Sequence, residues 1–354
     1  MKIGITCYPT YGGSGVIATE LGKGLAGRGH QVSISDYPLF EYPPYSISLA
    51  AKMADVMLTE KLDIMHVHYA IPHAISAYLA NSILGGKGKK HVPIVTTLHG
   101  TDITIVGKDP MMMDAVRLGI NNSNAVTSVS HFLKNETELH FSPTLPIQVI
   151  YNFVNHDVFK KIHDDKFRNV FAKPNEKILI HISNFRPVKR TEDVIAVFNL
   201  VQKELPVKLL LVGDGPDRPT LEMKCRELCI CDKVKFLGRH PSITPLLSVA
   251  DVMIMPSLTE SFGLAALEAM SCETPVIASD VGGLRELIED RTNGFLCKTM
   301  DVETMARRGT ELLSDEDMLM RFKRSARVRA EEFNIEKALN EYEQIYWALL
   351  KRKG

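Results

Sequence analysis

Val252-Met253-Ile254-Met255-Pro256-Ser257-Leu258-Thr259-Glu260-Ser261-Phe262-Gly263-Leu264-Ala265-Ala266-Leu267-Glu268-Ala269-Met270 divides into a strand, a turn and a helix. Four consecutive apolar residues, Val252 to Met255, suit a strand buried on both faces. Pro256-Ser257 ends it, the turn carries Glu260, and a helix begins near Phe262 with Glu268 about two turns inside. One strand feeding one helix is a βα unit, and such units stack around a parallel sheet.

The same alternation extends in both directions from this stretch. Before residue 155 the strand-like runs are Ile3–Cys7, Gln31–Ser35, Ile64–Val67, Val92–Leu98, Ala125–Val129 and Ile147–Tyr151. Helical periods cover about Ser14–Arg28, Ser48–Lys61, Pro72–Leu84, Pro110–Asn121 and His131–His140. A polar stretch with Asp164-Asp165 and Pro174-Asn175 then breaks the rhythm. It restarts at Lys177–Ile182, Lys208–Val212, Lys233–Leu237, Val252–Met255, Pro275–Ser279 and Gly294–Cys297. We therefore expect an α/β protein with two doubly wound domains, 1–154 and 177–334, a connection over 155–176 and a last helix over 335–354. That helix carries Ile335, Leu339, Tyr342, Ile345, Tyr346 and Leu349 on one face, which must pack on something: the groove between domains, or the first domain if the helix crosses back.

A chain of 354 residues suits two domains of roughly 100–200 residues each,. Lys+Arg and Asp+Glu balance at 42 each, which removes the bulk attraction expected of a protein that binds nucleic acid or an anionic membrane,. No apolar run reaches the ~18 residues that span a bilayer, and Met1-Lys2 leads straight into a strand without a signal-peptide layout. The expectation is a cytoplasmic protein with no nucleic-acid or membrane partner; whether it forms a homo-oligomer stays open. Six cysteines without a C-x-x-C pair read as reduced thiols, and Cys225, Cys229 and Cys231 lack a fourth ligand for zinc,. No metal is expected.

Open parallel sheets bind ligands at the carboxyl ends of their strands, where loops meet helix N-termini. If the two domains face each other, both sets of loops converge on one cleft. In the first domain, Tyr11-Gly12-Gly13-Ser14-Gly15 follows strand one; it is neither G-x-G-x-x-G nor a P-loop, and ligand contact and tight-turn packing both suit it. His66-Val67-His68-Tyr69 ends the third strand, with two imidazoles on one face and Tyr69 at the mouth. Leu98-His99-Gly100-Thr101-Asp102 ends the fourth, offering an imidazole, a carbonyl and a hydroxyl, or else a capping turn. No nucleophile elbow accompanies the histidines, which disfavours acyl-enzyme hydrolysis.

In the second domain Ser183-Asn184-Phe185-Arg186-Pro187-Val188-Lys189-Arg190 follows its first strand, and Arg186 with Lys189 would clamp a diphosphate from two sides. Gly213-Asp214-Gly215-Pro216 turns tightly at the next strand end. Glu260 and Glu268, with seven residues between them, are acceptors for sugar hydroxyls, while the amides of Gly263 and Leu264 point at an anion. Glu268 among Ala265, Leu267, Ala269 and Met270 is costly to bury without a partner.

The chain resembles the retaining GT-B glycosyltransferases of the sucrose-synthase-like group, through the E-x7-E motif Glu260 to Glu268 followed by Pro275-Val276-Ile277-Ala278 and Gly282-Gly283. More narrowly it is similar to the N-acetylglucosaminyl-L-malate synthases of bacillithiol biosynthesis. The carriers are Ile5-Thr6-Cys7-Tyr8-Pro9-Thr10-Tyr11-Gly12-Gly13-Ser14-Gly15-Val16, His66 to Ala74, Leu98 to Thr104 and Ile182 to Arg190. One departure stands out: the Arg that the wider group places five residues before Lys189 falls at Asn184, and Arg186 is assigned its phosphate role.

The resemblance implies two Rossmann-like domains facing across a cleft, and retaining transfer of GlcNAc from UDP-GlcNAc to the L-malate hydroxyl with no cofactor. It implies that Glu268 holds the ribose, Glu260 a GlcNAc hydroxyl, Gly263 and Leu264 the diphosphate, and Gly238-Arg239 the uracil, with Gly13 and Gly215 in the nucleotide-sugar turns. His99, Arg186, Lys189 and Glu260 form the catalytic set. Ser14, Tyr69, Thr101 and Arg117 form the acceptor set; Arg117 is the only arginine of the first domain besides Arg28, which ends a helix away from the strand mouths. Asp102 is the nearest candidate nucleophile, and front-face substitution is the favoured mechanism. A transferase with another acceptor, a UDP-GlcNAc epimerase and a UDP-sugar sensor are the competing readings.

Overall fold

The buried apolar runs pair in parallel throughout both sheets. The computed structural model describes residues 1–7, 13–35 and 45–351, so Tyr11 and Gly12 of the first turn, and Tyr8 to Thr10 of the resemblance, lie outside the described residues. The chain forms two compact units, one of Met1–Phe153 with Ile335–Gly354, the other of Val154–Asn334.

The first unit contains β1 (Lys2–Thr6), α1 (Gly13–Gly27), β2 (Gln31–Ser35), α2 (Tyr45–Thr59), β3 (Ile64–His68), α3 (Ile75–Gly86), β4 (Ile94–Leu98), α4 (Pro110–Asn121), β5 (Ala125–Ser128), α5 (His131–Phe141) and β6 (Ile147–Val149). Its sheet order is β2-β1-β3-β4-β5-β6. The order reverses between β1 and β3, so the loops after those two strands diverge and leave the crevice where such sheets take ligands.

The second unit contains α6 (Asp165–Arg168), β7 (Lys177–Ile182), α7 (Thr191–Glu204), β8 (Val207–Val212), α8 (Arg218–Glu227), β9 (Val234–Gly238), α9 (Thr244–Val249), β10 (Val252–Met255), α10 (Leu264–Ser271), β11 (Val276–Ser279), α11 (Leu284–Leu287), β12 (Gly294–Cys297), α12 (Val302–Ser314) and α13 (Glu316–Glu331). The order β12-β11-β10-β7-β8-β9 reverses between β7 and β10. Leu179, Leu209, Leu211, Ile254 and Ile277 pack with Val194, Phe198 and Val201 of α7 in one core. Burying each such side chain stabilises by about 1.5–3 kcal/mol.

Two segments depart from expectation. Residues 155–176, read as a connection, belong to the second unit: Lys161 Nζ donates to Ser248 O at 2.6 Å, and Arg168 pairs with Asp251 at 2.9 Å. Asp251 also receives the amide of Ile178 and Lys323 Nζ, at 2.9 and 3.0 Å, and these partners hold its carboxyl below its usual range against the cost of burial. The segment read as the start of a helix at Pro72 forms a separate wide turn, Ala70–Ala74, because Ile71 is extended.

The last helix, α14 (Ile335–Lys351), packs on the first unit through Ala338, Leu339, Tyr342 and Tyr346. Leu339 sits where a Cβ on Gly24 of α1 would lie 2.8 Å away, so glycine permits the close approach of the two helices,. Arg28, just past the end of α1, ties α14 down through Glu343 at 2.9 Å, Asn340 at 2.8 Å and Glu336 at 2.5 Å.

Candidate active site

In the second unit four strand-end loops are laced together. The loop after β7 meets the loop after β10 where Val188 O accepts from Leu258 N at 2.8 Å. The turn after β8 meets β9 where Gly238 O accepts from Gly213 N at 2.7 Å. Gly215 sits so close to the β7 loop that a Cβ would lie 2.0 Å from Asn184 O, so only glycine admits this contact.

Lys189 and Glu260 meet across the β7/β10 reversal, with Nζ 2.6 Å from Oε1. Ser257 Oγ donates to the same oxygen at 2.9 Å. Oε2 has no partner among the described residues, and a carboxylate oxygen left open at a rim is an acceptor for a ligand hydroxyl. The Glu260 carbonyl in turn accepts from Gly283 N at 2.9 Å, which fixes the backbone at the head of α10. Arg186 and Arg239 are exposed, and their guanidinium groups make no hydrogen bond or ion pair with described residues.

Gly263 caps α10 in the left-handed region, at φ +100°. A Cβ there would lie 2.6 Å from Leu284 Cδ2, so both conformation and space demand glycine,. The amides of Leu264, Ala265 and Ala266 have no acceptor among the described residues, the ordinary state of a helix start and a site for an anion,. One turn deeper, the Glu268 carboxyl lacks a hydrogen-bond partner among the described residues, and burial pushes it up to about 8. It is therefore largely protonated at neutral pH.

Sequence reasoning missed His181, which interrupts the apolar residues Ile178 to Ile182 of β7. Its Nδ1 donates to Ile254 O at 2.8 Å, and Ser183 Oγ donates to its Nε2 at 2.8 Å. Burial lowers it to about 4, so it is neutral and joins β7 to β10 beneath the Lys189–Glu260 pair. A histidine interrupting a strand buried on both faces is the signal that marks it.

The first unit builds its own rim at the β1/β3 reversal. Tyr69 OH donates to Ser14 Oγ at 2.8 Å, so two residues of the acceptor set meet. Tyr69 holds φ +82°, rare for a bulky residue, and burial pushes its hydroxyl up to about 12,. Its ring lies 5.1 Å from that of His99, and His99 Nε2 lies 2.7 Å from His68 Nδ1. Burial lowers His99 to about 3, so its imidazole is neutral. Asp102 accepts from Ala70 N at 2.8 Å and Gly100 N at 3.0 Å, one on each carboxylate oxygen. It is buried, raised to about 6 by desolvation, and serves as the staple between the two loops.

Thr101 is exposed beside Asp102. Gly13 opens α1 next to Ser14 and is exposed. Arg117 lies midway along α4, where it pairs with Asp114 at 2.9 Å and reaches Phe141 O at 3.4 Å. That i,i+3 pair is exposed on both sides and worth at most about 1 kcal/mol, so it competes weakly with a ligand carboxylate. His66 and His68 do share one face of β3, stacked with centroids 4.7 Å apart, but both are engaged by protein groups. Among the described residues no cluster of metal-ligating side chains occurs, and no helix is long and apolar enough to cross a membrane.

Comparison with known proteins agrees with this layout. Residues 163–329 match the family described as glycosyl transferases group 1, and residues 34–158 match glycosyltransferase family 4. The N-acetyl-alpha-D-glucosaminyl L-malate synthase of Bacillus anthracis is 44% identical, covering 99% of this chain and 98% of that protein. The D-inositol 3-phosphate glycosyltransferase of Thermobispora bispora is 26% identical over 95% of this chain and 83% of its own. Among solved structures, Anabaena HepE in complex with UDP-glucose superposes with a TM-score of 0.84 at 21% identity, covering 98% of this chain and 100% of that one. Sucrose-phosphate synthase from Thermosynechococcus elongatus gives 0.83 at 21% identity, covering 99% and 100%. At that identity the two structures speak for the GT-B fold, and the full-length relative speaks for the family. The chain belongs to the GT-B glycosyltransferases, in the family that includes the N-acetyl-alpha-D-glucosaminyl L-malate synthase of Bacillus anthracis.

Proposed function

We propose that this chain transfers N-acetylglucosamine from UDP-GlcNAc to the hydroxyl of L-malate with retention at the anomeric carbon, giving GlcNAc-α-malate and UDP, the first step of bacillithiol biosynthesis. The observation that carries the reading is the Lys189–Glu260 pair at the β7/β10 reversal, beside the free amides at the head of α10. A cation, a helix start and an open carboxylate oxygen stand together where a nucleotide sugar places its diphosphate and hexose.

In this account the amides of Gly263 and Leu264 take the diphosphate, Lys189 and Arg186 neutralise the charge that grows on it, and Glu260 Oε2 accepts a GlcNAc hydroxyl. Glu268 binds the ribose hydroxyls, and the Gly215 turn and Gly238-Arg239 border the nucleotide. Ser14, Tyr69, Thr101 and Arg117 take the malate; Arg117 supplies the cation that a dicarboxylate requires. The sugar–phosphate bond breaks as the malate hydroxyl approaches the same face. The departing phosphate oxygen accepts the malate proton, and the His99 carbonyl favours the positive charge developing at the sugar carbon. No protein carboxylate forms a bond to the sugar: both oxygens of Asp102 are committed to backbone amides, which leaves it a poor nucleophile.

UDP release from UDP-GlcNAc, measured with and without L-malate, tests the proposal. Release that depends on malate supports it. Equal release in both, or none in either, would assign the donor site to another acceptor, an epimerase or a sensor.

A further inference from the structure

A buried polar chain runs through the first unit from α14 to the Ser14–Tyr69 rim. Tyr346 OH lies 2.7 Å from His66 Nδ1, and His66 Nε2 lies 2.7 Å from Thr97 Oγ1. Thr97 Oγ1 also meets Thr127 Oγ1 at 2.7 Å and Tyr342 OH at 3.1 Å. A hydroxyl has one proton to give and two lone pairs, so three partners saturate Thr97. Both nitrogens of His66 are thus bound, and burial lowers it to about 3, so it is neutral, with one nitrogen donating and the other accepting.

From His66 the chain continues through rings. His66 stacks on His68 at 4.7 Å, and His68 stacks on His99 at 5.0 Å while bonding it at 2.7 Å. His68 Nε2 is buried without a partner. A bare lone pair is tolerated there better than an orphan N–H, which puts the His68 proton on Nδ1 and makes His68 the donor to His99. His99 then lies against Tyr69, whose own backbone sits in a strained region that only its surroundings can hold,. A helix from the far end of the chain therefore sets the first imidazole of a stack whose last ring touches the acceptor rim.

We propose that Tyr346 is a positioning residue for the acceptor: its hydroxyl orients His66, and the His66–His68–His99 stack holds Tyr69 in the geometry that binds malate. This rests on the reading of the Ser14–Tyr69 rim as the acceptor site.

The test uses the full chain and three variants. Tyr346→Phe keeps the ring and removes only the hydroxyl. It should raise KM for L-malate roughly 5-fold or more, the effect of one misplaced hydrogen bond, with KM for UDP-GlcNAc within about 2-fold of wild type. Leu339→Val trims the same helix where it meets Gly24, outside the polar chain, and should match the loss in Tm while leaving malate KM unchanged. Tyr69→Phe should raise malate KM directly. If Tyr346→Phe leaves malate KM unchanged, or if Leu339→Val raises it in proportion to the loss in Tm, Tyr346 is a structural residue only and the proposal is wrong. If Tyr69→Phe has no effect on malate KM, the acceptor reading falls and this inference with it. A Tyr69→Phe effect without a Tyr346→Phe effect removes the inference alone.

Discussion

At the residue scale the account turns on charge. Arg186 and Lys189 are assigned to the diphosphate, so Arg186→Ala and Lys189→Ala should each lower kcat/KM by at least ~10²-fold, and near-normal steady-state kinetics in both would refute the clamp. Asp102 makes the opposite case. Its carboxylate serves two backbone amides, of which an asparagine can accept only one, so Asp102→Asn should lower Tm yet keep measurable turnover, and the wild type should form no glycosyl adduct by mass spectrometry; an adduct on Asp102 of the wild type, with turnover abolished in Asp102→Asn, would replace front-face transfer by a covalent route,. Glu268 carries a pH signature. Its carboxyl moves from 4.5 to about 8 on folding, so the native state holds a proton that the unfolded chain releases. Stability conferred by that proton is present below pH 4.5 and is lost as pH rises towards 8. The Tm of the ligand-free protein should fall across this window more steeply in wild type than in Glu268→Gln, and parallel curves would show that Glu268 is not buried as described. The E-x7-E pair was legible in the sequence because two carboxylates flanking an apolar helix start need a reason to be there. Tyr69's positive φ was not legible, since nothing in its side chain favours that conformation and only the folded loops impose it.

Elements carry the next layer. Strands such as Lys177–Ile182, Val252–Met255 and Gly294–Cys297 read directly from sequence, because a parallel sheet covered on both faces selects unbroken apolar runs,. Helix entries were harder. Pro72 suits a first helical position, so the sequence predicts a helix from Pro72, whereas the extended Ile71 leaves Ala70–Ala74 as a turn and delays the start to Ile75,. The head of α10 offers a test at this scale. Gly263→Ala forces a Cβ into both an unfavourable φ and Leu284, which together should cost about 1–3 kcal/mol. Calorimetry should report a lower Tm and weaker UDP binding, whereas unchanged UDP affinity would remove the α10 amides from the donor site. The packing face of α14 was visible as an apolar stripe. Its target stayed open between the interdomain groove and the first domain, and the structure selects the first domain; the partner itself was not legible, because His66 and Tyr346 are separated by 280 residues and a stripe does not name what it covers.

Over the whole molecule, the α/β class followed from one repeating unit, and each sheet places its candidate residues at its own order reversal: Ser14 with Tyr69 in the first, Lys189 with Glu260 in the second. Charge balance weighs against bulk attraction to a nucleic-acid backbone, and the candidate residues would serve several nucleotide sugars. Donor and acceptor identity came through the family resemblance, since a hydroxyl-binding carboxylate does not distinguish one hexose from another. The central claim is that the donor sugar ends on malate with its anomeric configuration kept. Proton NMR of the product formed from UDP-GlcNAc and L-malate tests it most directly. An α-linked GlcNAc on the malate hydroxyl is predicted; a β-linked product, or free N-acetylglucosamine with malate unchanged, would contradict it.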